Sequence, residues 1–373
     1  MNDSGEPMAR RRDQGPGPRT RPSGTAKPKA ARGAATAPET RAINLALQGG
    51  GAHGAFAWGV LDKLMEDGRI EIEGISATSA GAMNATVLAY GFAEGGREGA
   101  RTALADFWRR IANAAATSPL QPSLLDRMTQ NHGLDFSPVF QAFDLLARVF
   151  SPYQFNPMNF NPLRHIVEQS VDFERLRKSS AIKLYLNATN VRTGKVRLFR
   201  NAEITPDAVM ASACLPLMFQ AVEIEGEAYW DGGYMGNPAI FPLIYECTSA
   251  DVVVVHINPI ARPDVPRTAA EILNRIDEIS FNSSLMREMR AIAFVTRLID
   301  ENNIKQGSMK RMLVHSIAAE DFMQRLGVNS KLNADWEFLT HLRDAGRART
   351  SEWLASNFQH LAKQSSTDFG VYL

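Results

Sequence analysis

Three separated stretches of this chain carry residues that could act together on an electrophile. The first is Gly49-Gly50-Gly51-Ala52-His53-Gly54. Glycines admit positive φ and let the backbone approach a ligand closely. A helix predicted just after them would aim free amides and its positive dipole end at the same point. The product is an anion site. The second stretch is Thr78-Ser79-Ala80-Gly81. A serine at a sharp strand-to-helix turn projects its hydroxyl above a sheet, provided its neighbours are small. The third is Tyr229-Trp230-Asp231-Gly232-Gly233. Its carboxylate could serve as the base that a serine nucleophile needs.

None of these stretches is specific by itself. Ser-x-Gly is common, and a serine before a helix is often only its N-cap. Asp-Gly-Gly is often a plain turn. The elbow pattern G-x-S-x-G also has Ala77 in place of its first glycine. Meanwhile Gly49-x-Gly51-x-x-Gly54 matches the dinucleotide fingerprint, so a nucleotide-binding oxidoreductase is an alternative. That reading wants an acid at the end of the second strand, to hold a ribose. The acids Glu71 and Glu73 lie at the start of that strand instead, and Ser79 occupies its far end.

The elements that must position these residues follow from hydrophobic periodicity. Residues 43–48 read as a strand that runs into the glycines. Phe56, Val60, Leu61 and Leu64 give one apolar helical face over 55–67, which Gly68 stops. Residues 71–77 form a second strand and 80–90 a second helix. This β-α-β-α order predicts a parallel sheet, and open α/β sheets place their sites at the C-terminal strand ends. Further helices are predicted over 97–115 and 137–150, and further strands over 182–189, 196–199, 221–224, 227–230, 252–257 and 312–317. Residues 268–302 and 335–363 read as helical. The aromatic, proline-containing stretch 150–162 reads as a loop, either pinned to the core by its rings or walling a lipid-like substrate.

Residues 1–40 contain no Leu, Ile, Val or aromatic residue. Such a segment cannot offset the entropy of ordering and reads as a disordered arm. With Arg41 it holds nine Lys or Arg against four acids. It is a solubilising tail, or a contact for an anionic membrane or a partner. The whole chain has a net charge of +1, which gives no reason to expect nucleic acid. Two cysteines, Cys214 and Cys247, make no disulfide framework or metal spacing, which fits a cytoplasmic location, peripheral to membrane where the arm contacts it. His256 and His315 follow Asp231 in the order of a Ser–Asp–His triad, but each sits in a predicted strand and reads as structural. The remaining histidines form no metal set, and no cofactor is expected.

Taken together and in this order, Gly49–Gly54, Thr78-Ser79-Ala80-Gly81 and Asp231-Gly232-Gly233 resemble the patatin-like phospholipase family. The stretch Ala211-Ser212-Ala213-Cys214-Leu215-Pro216-Leu217-Met218-Phe219 is similar too. The resemblance covers roughly residues 43–240. It implies an α/β fold, a three-layer α/β/α sheet over about 41–265, with a mainly helical region, 266–373, packing on or completing it. It also implies hydrolysis of lipid or other acyl esters by a Ser79–Asp231 dyad without histidine or cofactor. The amides of Gly50, Gly51 and Ala52 would form the oxyanion hole. A storage polyester or similar ester is an alternative substrate, and a catalytically weak binding or regulatory protein is an alternative role. His53 stands where the family usually has Arg or Lys, which predicts a weaker and pH-dependent positive potential near ~6.5.

Overall fold

The computed structural model describes residues 39–373, apart from 119, 120, 124, 127–131, 135 and 306. The predicted disordered arm, apart from its last two residues, therefore lies outside the described residues. The elements in chain order are β1 (Arg41–Leu47), α1 (Gly54–Asp67), β2 (Ile70–Thr78), α2 (Ala80–Ala116), α3 (Pro138–Val149), α4 (Pro152–Phe155), α5 (Pro162–Ser170) and α6 (Phe173–Lys178). Then come β3 (Lys183–Asn190), β4 (Val196–Arg200), α7 (Pro206–Ser212), β5 (Val222–Ile224), β6 (Glu227–Asp231), α8 (Phe241–Glu246) and β7 (Asp251–Val255). The chain closes with α9 (Ala269–Asp300), β8 (Leu313–Ile317), α10 (Glu320–Met323) and α11 (Trp336–Asn357).

One sheet runs β5-β6-β3-β2-β1-β7-β8, with β4 also paired to β3. The five strands from β3 to β8 are parallel, and β4, β5 and β6 form an antiparallel edge. The central strands β1, β3 and β7 are buried on both faces and alternate between two apolar cores, as period-two side-chain direction requires. Leu45, Leu47, Val253, Val255, Leu184 and Leu186 face the larger core with α1, α2, α7 and α11. Ala46, Val252, Val254 and Tyr185 face the smaller one with α8 and α9. This is the three-layer α/β/α arrangement, with additional C-terminal helices.

The region after residue 265 contributes to both faces. Helix α9 covers the smaller core through Leu285, Met289 and Ile292. Strand β8 extends the sheet beside β7. Helix α11 adds Phe338, Leu339 and Leu342 to the larger core. Helix α2 spans both helices predicted over 80–115, with non-helical backbone at Gly95 and Gly96 marking the break between them. The stretch 150–162 is not pinned by its rings. It contains α4; Phe150, Tyr153 and Phe160 are exposed, and Phe155 is half-buried against Phe143 of α3, so no ring of the stretch enters either core and that reading is corrected.

Candidate active site

Ser79 lies between β2 and α2 with φ 55° and ψ −124°, a conformation that few non-glycine residues adopt. Such strain persists only where the surroundings over-determine it. Here they do. The Ser79 amide donates to the buried Ser212 hydroxyl at 2.9 Å, from the end of α7. A Cβ on Gly81 would lie 2.5 Å from the Leu47 carbonyl and 2.7 Å from that of Gln48. Only glycine lets α2 start so close to β1. Ala77, in place of the elbow glycine, is fully buried within β2 and the turn forms regardless. Ser79 is half-buried.

Asp231 reaches the same point by strand pairing. Thr78 of β2 pairs with Asn187 of β3, and the next residue of β3, Ala188, pairs with Asp231 of β6. Because β4 uses the other edge of Ala188 and Thr189, β6 must occupy the edge that β2 has just vacated. Asp231 and Ser79 therefore meet where the two strands end. The carboxylate is buried and accepts the Gly233 amide at 2.7 Å. Burial pushes its pKa from 3.8 up to about 6, against smaller opposite effects from the Gly233 amide and the nearby Ser79 hydroxyl. Cys214 backs this strand, its carbonyl accepting the Asp231 amide at 2.8 Å. Burial raises the Cys214 thiol to about 12, so it stays protonated.

The glycine loop lies against the elbow. A Cβ on Gly49 would sit 2.6 Å from the Cβ of Ser79. Asn237 Oδ1 accepts the Gly49 amide at 2.7 Å, and Asn258 Nδ2 donates to its carbonyl at 2.7 Å. The loop then turns into a 3-10 segment, Gly51–His53, with Gly51 at φ 58°. Among the described residues, nothing accepts from the amides of Gly50, Gly51 or Ala52. These free donors are what a helix start supplies to an anion.

His53 behaves differently from its sequence reading. The ring is buried, and Nε2 lies 2.8 Å from the Ser330 hydroxyl. That hydroxyl gives its one proton to the Gly327 carbonyl, so the ring nitrogen donates. Burial, with help from Lys331 and Arg262, pushes the His53 pKa down to about 3. The imidazole is neutral across the physiological range, so the expected titration near ~6.5 is corrected.

Lys331 is a residue that sequence reasoning missed. Its carbonyl would lie 2.4 Å from a Cβ on Gly51, and its Nζ donates to Asn258 Oδ1 at 3.0 Å. Desolvation lowers its pKa, partly offset by the nearby carboxylates Glu278 and Asp277. The amine of a lysine from the C-terminal region thus stands behind the glycine loop. A lone lysine in a short 3-10 turn gives no pattern by which a sequence could reveal it. His256 and His315 are both engaged away from Ser79, with Tyr372 Oη at 2.7 Å and Asp251 Oδ1 at 2.9 Å respectively.

A model of the family described as patatin-like phospholipase matches residues 45–244, more than half of the chain. No curated protein matches. Among solved structures, the chain is similar to VipD from Legionella pneumophila, with 15% identity over 83% of this chain and 68% of that one, at a TM-score of 0.34. It is also similar to ExoU in its heterodimeric complex with SpcU, from the type III secretion system of Pseudomonas aeruginosa. There the identity is 15% over 86% of this chain and 52% of that chain, at a TM-score of 0.36. On the family match, which takes in the glycine loop, the serine elbow and the Asp-Gly-Gly turn, this chain belongs to the patatin-like phospholipase family.

Proposed function

We propose that this chain is a serine acyl-hydrolase acting on carboxylic esters of lipids through a Ser79–Asp231 dyad. The observation that carries the reading is a strained, half-buried serine beside a buried aspartate whose pKa is raised to about 6. A base is most effective when its pKa lies near the working pH. Ser79 Oγ attacks the ester carbonyl as its proton passes to Asp231. The amides of Gly50, Gly51 and Ala52 hold the oxyanion, each such donor being worth ~3 kcal/mol in the transition state. Collapse expels the alcohol, which takes the proton from Asp231. A water then gives its proton to Asp231 and attacks the acyl-serine, releasing the acid and restoring the hydroxyl. Lys331 strengthens the positive potential behind the loop, which neutral His53 does not supply. Family membership supports lipid esters as the substrate class.

A fluorophosphonate probe with peptide mapping tests the reading, alongside turnover of a short-chain ester and of phosphatidylcholine. Labelling should fall on Ser79. Ser79→Ala should abolish turnover and Asp231→Asn should come close to it. Undiminished hydrolysis by Ser79→Ala, or labelling at another residue, would rule the dyad out.

A further inference from the structure

Residues 136–160 hold seven aromatic side chains and only two charged ones, Asp144 and Arg148. These two pair with each other at 2.8 Å. The chain as a whole is 22% charged, so the stretch is depleted of charge. Many of its apolar side chains are also exposed. Leu145 and Val149 of α3 are each 65% exposed, and beyond α4 Met158 is 91% and Phe160 72% exposed. Monomeric proteins rarely leave such a face uncovered.

This face is continuous with the rim of the site. Gln220 Nε2 donates to the Asn156 carbonyl at 2.9 Å, and the Ala221 amide donates to the Tyr153 hydroxyl at 3.3 Å. Exposed Leu217 lies on the same segment. That segment begins at Ser212, which holds the Ser79 amide, and includes Cys214, which holds the Asp231 amide.

We propose that α3 and the stretch through Phe160 dock this protein on an uncharged, zwitterionic lipid surface and bring the site to its substrate. The inference rests on the lipid-ester reading above. Exposed aromatic and aliphatic side chains partition into the region between head groups and acyl chains. Attraction to anionic lipid needs unpaired Lys or Arg, and the only cation of this stretch is paired. Charge complementarity therefore selects a neutral surface over an anionic one.

The test is co-flotation of the full chain, carrying Ser79→Ala so that the lipid is not consumed, with phosphatidylcholine vesicles at low and high salt. Binding should be insensitive to salt. The pairs Leu145→Asp with Val149→Asp, and Met158→Asp with Phe160→Asp, should each lower it by about tenfold or more. Both pairs in the active chain should keep the thermal midpoint and the turnover of a soluble short-chain ester. Three results would overturn the proposal: no binding by the parent, undiminished binding by both pairs, or binding only to anionic vesicles with release at high salt. Self-association abolished by the same pairs would also overturn it, assigning the face to a second copy. If Ser79→Ala still hydrolyses ester while the pairs release the protein from vesicles, docking stands and the dyad falls.

Discussion

At the scale of the residue, the burial that raises Asp231 has two measurable consequences. As a base it must be ionised, so kcat/KM on a soluble ester should fall, with the uptake of a single proton, as pH drops below about 6. Because His53 titrates at about 3, that limb should stay in place in His53→Gln. The second consequence concerns stability. Folding raises this carboxyl above its unfolded value of 3.8, so the native state holds the proton more tightly than the unfolded chain. Its contribution to stability is fully present below about pH 4 and is lost as pH rises through about 6. At pH 8 the fold carries a buried charge, and Asp231→Asn should gain about 1–3 kcal/mol in denaturant unfolding while losing activity. Lys331→Met should lower kcat about tenfold with little change in KM, since it removes charge from behind the loop and not a substrate contact. Ser79, Asp231 and the glycines could be singled out in the sequence because three motifs, each common alone, occur together in one order. Lys331, Asn237 and Asn258 could not, because each is an ordinary polar residue until the chain folds and sets it against Gly49 or Gly51.

Elements decide whether the serine is presented at all. In Gly81→Ala, the added methyl would meet two backbone carbonyls of the strand end and loop, which cannot rotate away. The expected cost is about 2–4 kcal/mol, with slower phosphonylation of Ser79 in protein that remains folded. Chemical denaturation and labelling rate measure the two effects separately. The strands and long helices were readable because their apolar periods are sustained. The short helices α5 and α7 were not, although each begins with a capping residue followed by proline. Asn161 Oδ1 accepts the Leu163 amide at 3.1 Å and Thr205 Oγ1 accepts the Ala208 amide at 3.1 Å. Asn-Pro and Thr-Pro also open turns, and helices this short show no apolar period to separate the two outcomes.

For the whole molecule, the C-terminal third cannot be treated as an appendage. It supplies β8, α9 and α11 to the two cores, and Ser330 and Lys331 to the neighbourhood of the glycine loop. A chain ending at residue 265 should therefore fail to unfold cooperatively and should not react with a fluorophosphonate, as circular dichroism and labelling would report. Among the described residues, no helix is long and apolar enough to cross a membrane. The placement of β2 and β6 end to end along β3 has a further consequence. Nucleophile and base are spaced by the peptide repeat of a shared strand, as by marks on a ruler. Neighbouring helices can breathe or drift and carry both groups together without altering their separation. A single residue inserted between Asn187 and Ala188 would change it outright, although it would add only one amino acid to a strand far from either residue in the chain.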